Sequence, residues 1–241
     1  MRFDQALALR RLCASRQRAK MAVLAGLAMV NGREERNPSR EVTDTDALSL
    51  REDESLRYVG RGALKLLHAL DAFQIDVTGL RCLDVGASTG GFTQVLLEHG
   101  AAQVTAVDVG TAQLAQSLCN DPRVVSLERM DIRSLDLPRF DFICADVSFI
   151  SLKLILPRLF LLLKDGGAAV CLIKPQFELG PGQVSRRGVV RDPKARARAV
   201  NEVCAAAVAE GFVCCGQTQS SIAGGDGNIE YLLHLRKGGA T

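Results

Sequence analysis

Apolar residues follow two different patterns along this chain, and the pattern changes close to residue 58. The first part predicts two short helices, the second capped by Ser15, and then a hairpin that turns at Asn31-Gly32, a dipeptide typical of type I′ turns. Beyond it, apolar strands alternate with helices. We therefore predict a small α+β domain with its linker at residues 1–57 and a larger α/β domain at residues 58–241.

Five apolar strands between helical segments predict a doubly wound, mostly parallel sheet in the larger domain. They are Arg81–Val85, Gln103–Asp108, Val124–Leu127, Phe140–Asp146 and Ala168–Lys174. A helix at Ala195–Glu210 precedes two last strands, at residues 212–218 and 230–236. In such sheets, ligands bind outside the carboxyl ends of the parallel strands, so residues at those ends are the first candidates for a site.

Charged residues stand at three of the predicted strand ends. Asp146 and Lys174 close two parallel strands, whereas Glu230 opens the last strand and reaches the same edge only if that strand runs antiparallel to the others. Lys65, on the helix that opens the larger domain, completes a Lys-Asp-Lys-Glu set. Because an unpaired buried charge is costly, packing alone rarely places charges beside apolar runs. The structural alternative is an ordinary ion pair between Lys174 and Glu230.

A glycine-rich turn follows the first strand of the sheet. Gly86, Gly90 and Gly91 let a ligand approach the backbone, and the next helix offers free N–H groups. Asp108 closes the next strand 22 positions after Gly86, where a carboxylate can bind both ribose hydroxyls of an adenosine. Ser88 replaces the middle glycine of the dinucleotide fingerprint, so S-adenosylmethionine fits better than NAD. The alternative is a glycine needed only for the turn.

The same turn, residues 86–90, also matches the GxSxG motif of hydrolases. That alternative would use Ser88, Asp146 and His234 as a triad. No HGGG-type oxyanion segment accompanies the motif, and His234 stands between two leucines in a predicted strand, which favours a packed histidine. A hydrolase would also leave Asp108 and the two lysines without a function.

The charged set suits methyl transfer onto a ribose hydroxyl. This hydroxyl is a weak nucleophile, so a base must take its proton, or at least accept its hydrogen bond, as the oxygen attacks a sulfonium methyl group in line. Lys174, with Lys65 nearby, is our candidate for that role. Asp146 and Glu230 would orient the two amines.

Basic residues are concentrated at the start of the chain. The net charge of +3 does not by itself indicate a nucleic acid partner, but residues 1–33 hold seven Lys or Arg against one acid. Arg16, Arg18 and Lys20 are expected on the exposed face of the second helix, with Arg10 and Arg11 close by. Such a face suits a phosphate-rich partner; the alternative is a helix face that is merely solvated.

The cysteines and the apolar segments predict a cytoplasmic protein. Eight cysteines include no CxxC pair, and several fall inside apolar strands, which is typical of small buried side chains in a reducing compartment; no metal site is expected. Arg10 and Arg11 interrupt the N-terminal apolar stretch before a signal peptide could form. The longest apolar segment, near Leu152–Leu163, contains charged residues and a proline, so we expect no membrane span.

Several segments closely resemble the TlyA (hemolysin A-type) ribosomal RNA ribose 2′-O-methyltransferases, whose catalytic domain is similar to that of the FtsJ/RrmJ enzymes. They are DVGASTGGFT, AVDVG, DVSFISLKLILP, LIKPQFE, GVVRDP and GNIEYLLHLR. At the start of the chain, RLCASRQRAKMAVLAGLAMVNG resembles the RNA-binding domain of ribosomal protein S-four. The resemblance covers essentially the whole chain. It implies a Rossmann-like methyltransferase sheet, with its last strand antiparallel, behind a small RNA-binding domain.

The resemblance also implies a function and a set of site residues. The function is methylation of cytidine 2′-hydroxyls in ribosomal RNA or ribosomal subunits, with S-adenosylmethionine as the cofactor. The implied catalytic residues are Lys65, Asp146, Lys174 and Glu230. The implied cofactor-binding residues are Asp84, Gly86, Ala87, Ser88, Gly90, Gly91, Phe92, Asp108, Asp131 and Asp146. The implied RNA-binding residues are Arg10, Arg11, Arg16, Arg18, Lys20, Arg61 and Arg187.

One segment departs from the family, and two alternatives stay open. The chain has YVGRGALKL where the family usually has SRGGLKL, so Gly60 and Ala63 change the neighbours of Lys65. An RNA-binding, ribosome-associated protein without catalysis would keep the basic start of the chain but has no use for Lys174 and Glu230. A membrane-lytic protein should show a spanning or amphipathic segment, and we identify none. The sequence leaves the target nucleotide and the oligomeric state open.

Overall fold

A computed structural model describes residues 1–13, 15–51, 57–180, 182–185 and 187–238. Within it the chain forms two compact units, Met1–Tyr58 and Val59–Thr241. Most of the predicted linker, at residues 52–56, lies outside the described residues. Each unit contains buried apolar side chains of its own, so each has a core that its own residues build.

The first unit consists of two helices and a small antiparallel sheet. Its elements are α1 (Phe3–Leu9), α2 (Arg16–Leu24), β1 (Ala28–Val30), β2 (Arg33–Glu34) and β3 (Leu48–Leu50), and the sheet order is β2-β1-β3. The side chain of Ser15 accepts a hydrogen bond from the N–H of Arg18 at 3.2 Å, which confirms the predicted cap. Asn31 and Gly32 have φ values of 52° and 76°, as the predicted turn requires.

The sequence underestimated this small sheet. We expected one returning strand, whereas β1 pairs with β2 directly after the turn and with β3 at the end of the polar segment. Both residues of β2 are exposed, so no alternation of apolar and polar residues marks it. Buried side chains from α1, α2 and β1, among them Phe3, Leu7 and Val23, form the core of the unit.

The second unit is the predicted α/β domain. Its elements are α3 (Ala63–Ala72), β4 (Arg81–Val85), α4 (Gly91–Glu98), β5 (Gln103–Asp108), α5 (Gln116–Cys119), β6 (Val124–Glu128), β7 (Phe140–Ala145), α6 (Leu156–Leu162), β8 (Leu163–Ile173), α7 (Pro175–Glu178), α8 (Pro193–Ala209), β9 (Phe212–Gln219) and β10 (Tyr231–Lys237). The strand order is β6-β5-β4-β7-β8-β10-β9. Strands β4 to β8 are mutually parallel, and β10 runs antiparallel to β8 and β9. This confirms the predicted sheet, including the antiparallel last strand.

The strand order reverses between β4 and β7. From β4 the chain adds β5 and β6 on one side and then returns to place β7 and β8 on the other. Ligands of open α/β sheets bind at such a switch point, outside the carboxyl ends of the strands. The central strands are buried on both faces, which explains their continuous apolar sequences. Among the described residues no helix is both long and apolar enough to cross a membrane.

We expect residues 58–241, produced without the first unit, to fold on their own. The sheet and its buried cluster, which includes Leu83, Ile143 and Leu235, lie entirely within that segment. Circular dichroism during heating should show one cooperative transition, as for typical single domains. A gradual, non-cooperative loss of signal would contradict a separate domain beginning at residue 58.

Candidate active site

The predicted charged residues meet at one edge of the sheet. Asp146 follows β7 and Lys174 follows β8, and these neighbouring strands are parallel. Glu230 precedes β10, whose first residue, Tyr231, lies opposite the last residue of β8, Ile173. The antiparallel direction of β10 therefore brings Glu230 to the same edge. The fourth residue, Lys65, comes from the first turn of α3.

The four side chains form a chain of alternating charge. Lys65 Nζ lies 2.6 Å from Glu230 Oε2 and 4.0 Å from Asp146 Oδ2. Lys174 Nζ lies 2.6 Å from Asp146 Oδ1 and donates a hydrogen bond to Ser148 Oγ at 2.8 Å. Glu230 and both lysines are buried, and Asp146 is half-buried. Two cations and two carboxylates thus compensate one another in a largely dry setting, as buried charges must.

This arrangement differs from the simple ion pair that the sequence left open. Among the described contacts Lys174 pairs with Asp146, and Glu230 pairs with Lys65. Asp146 is the shared member, since its two oxygens face different lysines. A hydroxyl group that approaches Lys174 therefore contacts one member of a connected series of four charged side chains.

A cleft of about 650 Å³ lies at the same edge and reaches Asp146. Five of the predicted cofactor residues line it: Gly86, Ser88, Asp108, Asp131 and Asp146. Its apolar walls include Ile132, Ile150 and Leu154. The cleft thus joins the glycine-rich turn after β4, the end of β5 and the start of the segment after β7. Apolar walls with a few polar groups are typical of small-molecule sites.

The other predicted cofactor residues lie in or next to the glycine-rich turn but not in the described lining of the cleft. They are Asp84, Ala87, Gly90, Gly91 and Phe92. A side chain at Gly90, where φ is 96°, would meet Leu114 and Leu118. A Cβ at Gly91 would lie 2.9 Å from the backbone nitrogen of Ala63. These two glycines allow α4 to pack closely against its neighbours.

Gly86 brings the turn against Asp146. Its φ is 82°, and an added Cβ would overlap the backbone oxygen of Asp146. Glycine is therefore required there both by conformation and by space. The backbone N–H of Asp146 donates to the carbonyl of Val85 at 2.9 Å, which continues the contact along the strand. The glycine-rich turn thus contacts the charged set through the backbone of Asp146.

Asp108 is held by backbone groups. Its Oδ2 accepts a hydrogen bond from the N–H of Ser88 and its Oδ1 accepts one from the N–H of Gly110, both at 2.7 Å. These bonds fix the carboxylate at the wall of the cleft, and each oxygen keeps lone-pair capacity. Asp131, on the same wall, accepts hydrogen bonds from the guanidinium of Arg133.

Asp84 is a buried carboxyl group beneath the turn. Its Oδ2 accepts a hydrogen bond from the hydroxyl of Thr93 at 2.6 Å, while Oδ1 has no hydrogen-bond partner among the described residues. Burial raises the pKa of Asp84 to about 7; the Thr93 hydrogen bond opposes this increase and the charge of Asp146 adds to it. Near neutral pH this carboxyl group is therefore close to its midpoint of ionisation.

The predicted RNA-binding residues differ in how freely their side chains project. Arg10 donates to the carbonyls of Asp46 and Thr43, and Arg16 donates to the buried carboxylate of Asp4 at 3.0 Å. Arg18 donates to the carbonyl of Tyr58 at 2.9 Å. Arg18 is half-buried, whereas the other predicted residues are exposed: Arg10, Arg11, Arg16, Lys20, Arg61 and Arg187. Three arginines at the start of the chain thus also stabilise the fold of the first unit.

The hydrolase triad is not assembled. His234 lies inside the sheet, opposite Val170 and three residues after Tyr231, the first residue of β10. Its ring packs on Phe73, with the ring centroids 5.2 Å apart. Burial lowers the pKa of His234, and the charge of Arg236 acts in the same direction. Ser88 lies instead at the cleft, where its N–H binds Asp108. The prediction of a packed histidine is confirmed.

Sequence reasoning missed three residues beside the charged set. Ser148 accepts the hydrogen bond of Lys174, and Phe149 is 91% exposed at a φ of 64°. The buried carboxylate of Glu178 accepts hydrogen bonds from the hydroxyl of Ser151 at 2.5 Å and from the N–H of Leu152 at 2.8 Å. The signal was present, because these residues belong to the segments DVSFIS and KPQFE that flank Asp146 and Lys174.

Comparison with known proteins places the chain in a family. The model of the FtsJ-like methyltransferases matches residues 58–237. The chain belongs to the FtsJ-like methyltransferases. Over 98% of its length it is 48% identical to the 16S/23S rRNA (cytidine-2′-O)-methyltransferase TlyA of Mycobacterium tuberculosis, of which it covers 89%. The resemblance to the TlyA and FtsJ-like methyltransferases is thereby confirmed.

Solved structures agree with this assignment. A protein of Streptococcus thermophilus whose structure carries a hemolysin name superposes with a TM-score of 0.80 at 44% identity, covering 99% of this chain and 88% of that one. An S-adenosylmethionine-dependent methyltransferase from Mesorhizobium loti superposes with a TM-score of 0.54 at 19% identity, covering 70% of this chain and 96% of that one. The second similarity shows the shared fold alone.

Asp84 should make stability depend on pH in a recognisable way. The unfolded chain releases its proton near the ordinary pKa of 3.8, whereas the folded protein holds it up to about 7. The stability contributed by this site therefore falls as pH rises between these values. The side chain of Asp84→Asn cannot ionise, so the variant does not share this pH-dependent loss. The free energy of unfolding of the variant minus that of the parent should therefore increase by on the order of 3 kcal/mol between about pH 4 and about pH 8.

Urea unfolding at several pH values measures this difference. Asp136→Asn, at an exposed position, is the matched control and should follow the parent curve. A difference between Asp84→Asn and the parent that does not change with pH would show that Asp84 ionises in the folded protein as it does in water.

Proposed function

We propose that this chain is an S-adenosylmethionine-dependent methyltransferase that methylates the 2′-hydroxyl of cytidine in ribosomal RNA. The observation that supports this most is the coupled set of Lys65, Asp146, Lys174 and Glu230 beside a cleft with the glycine-rich turn on one wall. The relative that is named for this reaction is similar over nearly the whole chain. Ribosomal RNA as the substrate would place the enzyme in the cytoplasm.

The residues of the cleft suit the proposed cofactor. Gly86 leaves backbone exposed where a side chain could not fit, and Asp108 offers two carboxylate oxygens that are already oriented by backbone N–H groups. A carboxylate at this position suits the two ribose hydroxyls of an adenosine. Apolar side chains such as Ile132 suit the adenine ring. S-adenosylmethionine, when bound, supplies a methyl group on a positively charged sulfur.

Lys174 is the residue that we assign to the attacking hydroxyl. Its amine is fixed by Asp146 and Ser148, and about a tenth of its side chain remains accessible to a substrate. The fixed ammonium can orient the 2′-oxygen by donating a hydrogen bond to it. After the ammonium has released a proton, the neutral amine can receive the hydroxyl proton as the oxygen forms the new bond to the methyl carbon. Lys65 and Glu230 hold Asp146 in place, because Lys65 contacts both carboxylates. A non-catalytic RNA-binding protein would have no use for this buried set.

An aromatic pair suits the base of the target nucleotide. Phe149 is almost fully exposed three residues after Asp146, and its ring lies 5.2 Å from that of Phe177, three residues after Lys174. Exposing a large apolar ring to water has no packing benefit, whereas unstacked bases bind on aromatic faces. The exposed ring therefore supports a single-stranded or flipped-out nucleotide as the substrate.

The first unit is proposed to capture RNA. We assign residues 1–57 to an RNA-binding domain similar to that of ribosomal protein S-four. Lys20 and Arg11 are exposed and carry the positive charge that phosphates require. Arg10, Arg16 and Arg18 add positive charge to the same unit, although their side chains also have partners within it.

Replacing Asp108 should weaken cofactor binding. Asp108→Ala removes charge-assisted hydrogen bonds of roughly 1.5–3 kcal/mol, which corresponds to about 10- to 150-fold in affinity for S-adenosylmethionine. Isothermal titration calorimetry measures the change, and Asp136→Ala at an exposed position is the control. Unchanged affinity in a folded Asp108→Ala protein would remove this residue from the site.

Replacing Lys174 should abolish most of the methyl transfer. We expect a loss of about 10²- to 10⁴-fold in kcat for Lys174→Ala, with cofactor affinity retained. Lys164→Ala is a matched control, since Lys164 also pairs with an aspartate at 2.6 Å but stands near the other end of β8. Single-turnover transfer to ribosomal subunits, followed by mapping of ribose methylation, measures both the rate and the product. Methylation on a base, or none by the parent, would contradict the proposed function.

A further inference from the structure

The catalytic unit carries exposed basic residues at and before the start of α8. Of these, only Arg187 is among the predicted RNA-binding residues. Arg187, Arg191 and Lys194 are exposed, and none of them forms an ion pair with a carboxylate of the described residues. We call these three residues the basic edge. The only acid between them, Asp192, caps α8 by accepting a hydrogen bond from the N–H of Lys194 at 3.0 Å. Residues 187–194 therefore carry three positive charges against one negative charge.

The loop that carries the basic edge is held by its own hydrogen bonds. Ser185 and Val189 bond to each other through their backbones at 3.1 Å, and Gly188 closes the turn with a φ of 76°. The guanidinium of Arg196 donates to the carbonyls of Val190 and Arg191, at 3.1 and 2.9 Å. Arg186 lies outside the described residues. These bonds fix the described backbone from Gly188 to Arg191.

A buried asparagine ties this loop to the charged set. Asn228 is 1% exposed; its Oδ1 accepts from the N–H of Val190 and its Nδ2 donates to the carbonyl of Gly188, both at 2.9 Å. Two residues later comes Glu230, which pairs with Lys65. Satisfying both groups of a buried amide makes the connection costly to break. The basic edge is thus attached to the same segment that supplies Glu230.

We propose that the basic edge binds the phosphate backbone of the RNA strand that carries the target ribose. This rests on the proposed function and adds a second RNA contact, next to the reacting nucleotide. Asn228 is a positioning residue for it. The charged set is internally neutral and leaves little positive charge for the substrate strand, whereas exposed Arg and Lys without carboxylate partners gain free energy from phosphates by releasing counterions. Phosphate contacts of this kind set register and carry no base specificity.

Charge reversal at one position tests the proposal against a matched control. Arg191→Glu and Arg139→Glu change the net charge equally; Arg139 is also exposed but precedes β7, at the opposite edge of the sheet from Asp146. The full chain and each variant are titrated with protein-free ribosomal RNA at several salt concentrations. Losing one contact should reduce the slope of log K against log salt by about 0.7 and weaken binding about fivefold at roughly 0.1 M salt. Only Arg191→Glu should show this, with unchanged cofactor affinity.

The outcomes separate this proposal from the proposed function. If Arg191→Glu and Arg139→Glu change RNA affinity equally, or not at all, the basic edge is not an RNA surface. Ribose methylation by the parent protein would in that case still support the proposed function. A loss with whole ribosomal subunits but not with protein-free RNA would identify a protein partner instead and would also overturn it. If the parent transfers no methyl group to ribosomal RNA, both proposals fail.

Asn228→Ala tests the positioning role without removing a charge. The variant should raise the KM for RNA several-fold and leave cofactor affinity unchanged, because the loop loses both hydrogen bonds. Asn228→Asp keeps the acceptor for Val190 and should be less affected than Asn228→Ala when measured at high salt, where added charge is screened. An unchanged KM for RNA in Asn228→Ala would overturn the role of Asn228.

Discussion

Mutual compensation of buried charge at one edge of the sheet is the constraint on which the site depends. Lys65, Lys174, Asp146 and Glu230 are each too enclosed to be left unpaired, and removing one partner from such a set strands the others. The set can form only if β10 runs against β8, since Glu230 stands at the beginning of its strand. The chemistry at this edge thus imposes a requirement on the topology of the whole sheet.

The cleft and the charged set are joined through backbone. Gly86 approaches the carbonyl of Asp146 so closely that no other residue fits, and the N–H of Gly86 also bonds to the carbonyl of Val107 at 2.8 Å. The turn that faces a cofactor is therefore placed by both neighbours of β4. A group bound in the cleft would lie at Gly86 and a group bound beside Lys174 would lie near Asp146. The contact between Gly86 and Asp146 sets the relative position of the two groups, as in-line transfer between them requires.

Buried polar side chains fix the loops that we propose to face the substrate. Glu178 holds the segment after Asp146 through Ser151 and Leu152, and Asn228 holds the basic loop through Gly188 and Val190. Neither residue is exposed enough to be a main contact for an RNA strand. Their hydrogen bonds give irregular segments a defined backbone without a regular element, so loops can present Phe149 and Arg191 with little loss of conformational entropy on binding.

The sequence by itself determined the alternation of strands and helices and the charged residues at the strand ends, because both are local patterns. The antiparallel last strand was a condition for Glu230 to reach the same edge and was implied by the resemblance to the TlyA family. Only the tertiary structure decided the ion pairs: Lys174 pairs with Asp146 and not with Glu230, and Arg16 pairs with Asp4. The exposure of Phe149 and the connection made by Asn228 also required it. A hydrogen-bond partner that is distant in sequence depends on how the intervening elements pack, and no local pattern encodes that distance.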